Sequence, residues 1–422
     1  MTYNAYHLST EYINELRLRM ERLGKSVNTV EILDSILQHV GAIPSSEHLA
    51  AIIDGAFWTS FYREEDNEIT VSLIFTESEK SFDTFLFDHP ILFDVRNLVK
   101  LGAALENPRA DIGVWPDDDG QLQIWGFKTR AEDVLIADLW IQALEPGRVL
   151  VTFGGKSLGA IIDNQGVFVD HANLMQTVIP QLSLPQAGGS DGLLEMVRYT
   201  SLLTIARAMR AHGRGGTLLI VPGNSDGWLR SIAVPVPYTG GASFLESDYD
   251  VAQKPTLLGP VTDFFSALIK KKQSSQRDKF SRVIAQIDQQ CQRIARLTAV
   301  DGALVMTFDR FVYCFGAKIV RAEGQEVPTV FKVLKPYEGH TGEVVSLMDV
   351  GGTRHQSAVM FAHANPGAVA IVVSQDGGVS FFTTGSQSGA LFGVQQAELV
   401  VMHEGLGAAY WDYFRVAEMN LF

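Results

Sequence analysis

The sequence predicts two tandem domains: an α+β domain over residues 1–182, a linker over 183–192, and an α/β domain over 193–422 whose mixed central sheet is flanked by helices. Three observations lead there. A chain of 422 residues exceeds what one hydrophobic core usually organises. Residues 180–192 read Pro-Gln-Leu-Ser-Leu-Pro-Gln-Ala-Gly-Gly-Ser-Asp-Gly, which breaks helical and strand periodicity alike. Beyond that break, long amphipathic patterns alternate with short apolar strands, the signature of an α/β layer structure.

In the first domain, Asn28 can cap a helix with Glu31 reaching back to it, and Ile32, Leu33, Ile36, Leu37 and Val40 recur at helical spacing until Gly41. Residues 69–75 read as a strand, and 112–115 with 122–127 as a hairpin turning at Asp119-Gly120. Residues 148–153 and 158–169 add strand patterns. The second domain opens with a helix over 193–211, after which Gly215-Gly216 leads into the apolar strand 217–221. Residues 261–297 are again helical in pattern and carry Lys270-Lys271-Lys272, read as a solvated helix end. Strands follow at 303–308 and 311–318, then a loop, a helix starting near Thr353, and a buried strand at 368–374. A turn at Asp376-Gly377-Gly378 leads to its partner at 379–383, and the tail 395–422 reads as largely helical.

Composition excludes several classes. A formal net charge of -14 disfavours a nucleic-acid surface, which presents excess Lys and Arg to phosphates. A small nucleotide needs only a few local cations, a metal ion and backbone N–H groups, which an acidic protein can supply in one cleft. Two cysteines, Cys291 and Cys314, read as packing residues of a reduced compartment. The N-terminus has no secretory pattern and no apolar run is long enough to span a bilayer, so the expected address is the cytoplasm, with no membrane partner.

Two motifs carry chemistry. Asp301-Gly302-Ala303 sits where a helix hands over to a buried strand, placing a carboxylate at the strand edge and a glycine where a ligand approaches the backbone. Alone it is indistinguishable from a common turn, and the same tripeptide recurs at Asp54-Gly55-Ala56. Gly351-Gly352-Thr353-Arg354-His355 opens a helix, and exposed first-turn N–H groups beside an arginine and a histidine suit phosphate. The plain alternative is a glycine turn with Thr353 as a cap.

Taken in order, Gly215-Gly216 before a strand, Asp301-Gly302-Ala303 before a strand, Gly352-Thr353-Arg354-His355 at a helix start and Val372-Val373-Ser374 ending a strand resemble the DAC (DisA_N) domain of bacterial diadenylate cyclases. The resemblance covers about residues 193–383. It implies a DAC-type α/β fold that condenses two ATP into the second messenger cyclic di-AMP, releasing pyrophosphate, with Mg²⁺ or Mn²⁺. By this resemblance Asp301 binds the metal or activates the attacking 3′ hydroxyl, while Thr353, Arg354 and His355 hold the triphosphate. Gly302, Ala303, Gly352 and Ser374 line the nucleotide pocket, and Asp376 is the candidate for a second metal ligand. The family has a second arginine where this chain has Gln356, and acidic residues follow the later serine where this chain has Gln375 and then Asp376.

Two ATP molecules must meet with each 3′ hydroxyl facing the other's α-phosphorus, so the expected assembly is a homo-oligomer with face-to-face half-sites. The first domain carries no catalytic constellation and reads as a regulatory or sensory domain. The alternatives to an enzyme are a nucleotide-binding sensor of the same fold without turnover, and a structural interaction protein. Gly154-Gly155-Lys156-Ser157 lacks the glycine a P-loop requires at Leu150, and Asp117-Asp118-Asp119-Gly120 lacks the downstream glutamate of an EF-hand. Both read as turns.

Overall fold

The computed structural model describes residues 6–28, 41–64, 67–81, 83–104, 110–129, 138–182, 192–223, 226–233, 275–321, 324–385 and 388–402. The helix expected after Asn28, the linker core, the lysine run and most of the C-terminal tail lie outside them. The chain divides into two compact units, Met1–Val169 and Asp170–Phe422, each with a mixed sheet and helices. No helix among the described residues is long and apolar enough to cross a membrane.

The first unit runs α1 (Thr10–Asn28), α2 (Ser46–Thr59), β1 (Arg63–Glu64), β2 (Asn67–Glu68), β3 (Ser72–Phe75), β4 (Thr84–Leu92) and α3 (Val95–Ala104). It continues with β5 (Ala110–Pro116), β6 (Leu122–Thr129), β7 (Leu139–Glu145), β8 (Arg148–Phe153), β9 (Lys156–Ile162) and β10 (Gln165–Phe168). Eight strands form one sheet in the order β10-β9-β8-β7-β3-β5-β6-β4, parallel only at β3 and β5. Tyr12, Ile13, Leu16 and Met20 of α1, with Leu49, Ile52, Ile53, Ala56 and Phe57 of α2, recur at helical spacing and bury against this sheet. Tyr12 lies over Gly166 and Gly159, where added Cβ atoms would come within 2.7 and 2.4 Å of it.

The motif twin Asp54-Gly55-Ala56 is inside α2, with Asp54 accepting from Tyr6 and Gly55 packed on Phe93, so it shares no strand-edge geometry with Asp301. Gly154 and Gly155, both with positive φ, form the hairpin turn between β8 and β9. The aspartates at 117–119 form the tip between β5 and β6, where Asp117 Oδ1 accepts from the N–H groups of Asp119 and Gln121.

The second unit runs α4 (Ala172–Leu182), α5 (Gly192–Ala211), β11 (Gly216–Val221), a tight 3₁₀ turn at Gly227–Ser231, β12 (Ile232–Ala233), α6 (Ser275–Leu297), β13 (Ala303–Thr307) and β14 (Val312–Ile319). There follow β15 (Val330–Leu334), β16 (Glu343–Ser346), α7 (Thr353–Ala364), β17 (Val369–Val373), β18 (Val379–Thr384), β19 (Leu391–Val394) and α8 (Glu398–Val401). Residues 172–182, placed in the first domain by the boundary expected at 182, form helix α4 and fall in the second unit. The Asn173 amide donates to Lys335 O at 3.0 Å, and Asp170 N donates to Pro336 O at 2.9 Å.

Nine strands take the order β12-β14-β13-β11-β17-β18-β19-β15-β16. β11, β13, β17 and β18 are buried on both faces, which their unbroken apolar runs require. Leu219, Val221, Ala303, Val305, Ala370, Val372 and Phe382 join Ala358, Val359, Phe361 and Ala362 of α7 in one core. Strand alternation turns Leu218, Ile220, Leu304 and Met306 to the opposite face, the side on which α5 meets β17. Both cysteines are buried and free.

Candidate functional site

Strand register gathers the motif segments at one end of the second sheet. Thr217 is aligned with Ala303 in the parallel β11–β13 pair, and Gly216 with Val373 in the antiparallel β11–β17 pair. The residues just outside those pairs, Gly215, Asp301 and Ser374, therefore share one rim. At about 4.8 Å per strand, the outer two stand about 10 Å apart. Helix α7 starts at the same rim. Arg354 Nη1 lies 2.9 Å from where a Cβ on Gly215 would stand, and Gln375 Cγ lies 3.3 Å from the same point. Gly215, at φ +66, thus leaves room for the guanidinium of a residue far along the chain.

The charged groups on this rim differ in how they are engaged. Asp301 is exposed, and among the described residues its carboxylate has no hydrogen bond or ion pair. Arg354 is likewise exposed and unpaired among the described residues. Gly352 caps α7 without a side-chain bond, and the first helical bond is Gln356 N to Gly352 O at 3.1 Å. The N–H groups of Thr353, Arg354 and His355 precede that bond and point out of the positive end of the helix.

His355 is half-buried, edge-on to Phe382 with ring centroids 6.2 Å apart. Burial pushes its pKa below the usual histidine value, against the pull of the Asp376 carboxylate. Asp376 is held below the ordinary carboxylate range, chiefly by the Ser374 hydroxyl, which donates to Oδ1, and by Gly378 N. Ser374 and Asp376 belong to a tight turn closed by Ser374 N to Gly378 O at 2.9 Å and Gly377 N to Ser374 O at 3.1 Å.

Two motif residues have a different local reason from the one expected. Gly302 has φ +106, and a Cβ there would stand 2.5 Å from the carbonyl carbon of Gly316, so the chain that approaches it is strand β14 of the same sheet. The Ala303 side chain is in the α7-facing core, which leaves only its backbone for a ligand. Gln356 donates its amide to Gly351 O at 3.1 Å and braces the glycine loop.

Residues 38–129 match a family model described as "Probable sensor domain DACNV". The match lies wholly inside the first unit, from the approach to α2 through β6, and fits the half expected to be regulatory. No curated protein and no solved structure matches the chain.

Three side chains that hold the site were not singled out from the sequence. Gln395 donates to Val350 O at 2.8 Å, just ahead of the glycine loop. Glu398 accepts from Val379 N at 2.8 Å, and Arg210 donates from Nε to Gly377 O at 2.8 Å. Their partners are distant in sequence, so no local spacing marks them; the only trace is a charged residue, Glu398, within an apolar stretch.

Proposed function

We propose that this chain is a diadenylate cyclase, condensing two ATP into cyclic di-AMP and pyrophosphate in the cytoplasm, with the first unit as its regulatory sensor. One observation carries the reading: segments at Gly215, Asp301, Arg354 and Ser374, dispersed along the second unit, meet on one rim, with Arg354 against Gly215. The sensor-type match of residues 38–129 supports the regulatory half.

In the reaction each 3′ oxygen bonds to the α-phosphorus of the other ATP. Two pyrophosphates leave and two hydroxyl protons are released. One rim holds one nucleotide, so a second copy of the chain completes the site. Arg354 and the first-turn N–H groups of α7 bind the triphosphate, and His355 adds a hydrogen bond.

Mg²⁺ typically uses one or two carboxylates plus substrate phosphates. Asp301, exposed and unengaged among the described residues, fits that demand, whereas Asp376 already has Oδ1 occupied by Ser374 and Gly378. No group of three or more His, Cys, Asp or Glu forms a metal cage among the described residues, so the ion is read as arriving with the nucleotide. When bound, Mg²⁺ or Mn²⁺ neutralises charge on the phosphates of the leaving pyrophosphate.

The test is incubation of the purified protein with ATP and Mg²⁺ or Mn²⁺, followed by chromatography for cyclic di-AMP. Product is expected, with specific activity falling on dilution as the half-sites separate. Nucleotide binding without product under either metal overturns the enzyme and leaves a non-catalytic nucleotide sensor, the reading that Gln356 favours. Gln356→Arg is expected to tighten ATP binding by about three- to tenfold through the added phosphate partner, measured by calorimetry. Weaker binding would show that the brace to Gly351 outweighs the new charge.

A further inference from the structure

The turn that carries Ser374 and Asp376 is gripped from outside the motif. Arg210, in the last turn of α5, donates from Nε to Gly377 O at 2.8 Å and from Nη1 to Met402 Sδ at 3.6 Å. Gly377 has φ +90, and a Cβ on it would stand 2.9 Å from Arg210 Nε, so the glycine serves both the turn and the seat of the guanidinium. On the far side of the turn, Glu398, 2% exposed, takes the Val379 N–H and fixes where β18 begins. Between these two anchors the turn carries bonds of its own: Ser374 N and Oγ to Gly378 O, Gly377 N to Ser374 O, and Asp376 Oδ1 with Ser374 Oγ and Gly378 N.

We propose that Arg210 is a positioning residue of the nucleotide site, whose guanidinium holds the Ser374–Gly378 turn so that Ser374 and Asp376 stand at the rim beside His355. The inference rests on the cyclase reading of that rim. Arginine suits the task because its planar fork meets a carbonyl and a sulfur from a fixed position, whereas a lysine is a point donor on a flexible stem. A bond to a carbonyl from a charged donor is also stronger than a neutral one.

The experiment uses the full chain with Arg210→Ala and Arg210→Lys, and reads ATP turnover with Mn²⁺, KM for ATP and amide exchange by mass spectrometry. In Arg210→Ala, kcat is expected to fall about tenfold or more, as for other outer supports of a site, with KM changed less than about threefold. Exchange should quicken in the peptide spanning the turn and stay unchanged in the β11 and β13 strands. Arg210→Lys should recover part of kcat. Turnover unchanged in Arg210→Ala overturns the inference, and so does a loss accompanied by faster exchange across the whole sheet, which marks a folding role. A wild-type protein that yields no cyclic di-AMP defeats the cyclase reading instead. The Arg210 inference is then judged on the turn alone, where unchanged exchange in Arg210→Ala overturns it.

Discussion

Asp301→Asn is expected to lower cyclic di-AMP formation by about a thousandfold while leaving the fold and ATP binding near their wild-type values. The asymmetry follows from the position of the carboxylate. Asp301 is exposed at the start of β13 and has no partner among the described residues, so an isosteric amide breaks no structural contact. What the change removes is an unengaged negative charge at the rim, the group that the proposed reading gives to a divalent ion. On the proposed reading nucleotide affinity depends instead on Arg354 and the α7 N-terminus, which the substitution leaves alone. Chromatography of product, calorimetry with ATP and a thermal melt distinguish the cases. Activity within tenfold of wild type would remove Asp301 from the chemistry, and a large fall in Tm would recast it as structural.

Gly302→Ala is expected to destabilise the second unit by about 3 kcal/mol or more. Two independent strains combine at this residue. Its φ of +106 is a conformation that L side chains rarely adopt, and the new methyl would stand 2.5 Å from the Gly316 carbonyl carbon and 2.8 Å from its Cα. Both obstacles are backbone, so no rotamer change relieves them. Gly352 is the control. Its φ is -68 and a Cβ there meets nothing within 4 Å, so Gly352→Ala should fold normally. Urea unfolding of the two variants separates them, and equal stabilities would mean that β14 shifts away from Gly302 at little cost.

Much of the scaffold was legible where local chemistry is strong. The β5–β6 hairpin follows from alternating residues around Asp119-Gly120, and β11, β13, β17 and β18 from apolar runs bounded by glycine or aspartate. Edge strands were not. β4 carries Pro90 and a bulge between Leu86 and Ile91, which breaks the strand pattern and is tolerated because β4 ends its sheet. β15 and β16, within a segment read as loop, bury only part of their residues at the other sheet's edge, with Val330 and Val344 exposed. The strand pattern over residues 158–169 folds as β9 and β10, because Asp163 and Asn164 both take positive φ and reverse the chain.

The rim shows the same division. Asp301, Arg354, His355 and Ser374 are visible as patterned motifs, since their residue types announce phosphate and carboxylate chemistry. The clamps are visible only in three dimensions. Arg210 meets Gly377 across 167 positions and Gln395 meets Val350 across 45, separations that no sequence window spans. The reason for Gly302 was misplaced in the same way, because Gly316 is its neighbour in space and not in sequence.

Helix α5 has 20 residues, beginning at Gly192 immediately beyond the expected linker and holding Arg210 near its other end. At 1.5 Å per residue it is a stiff rod about 30 Å long, so a tilt of about 2° about one end displaces the other by about 1 Å. Directed along the 2.8 Å Arg210–Gly377 bond, a displacement of that size would carry donor and acceptor out of hydrogen-bond range. The hold on the Ser374–Gly378 turn is therefore only as exact as the seating of α5 along its whole length.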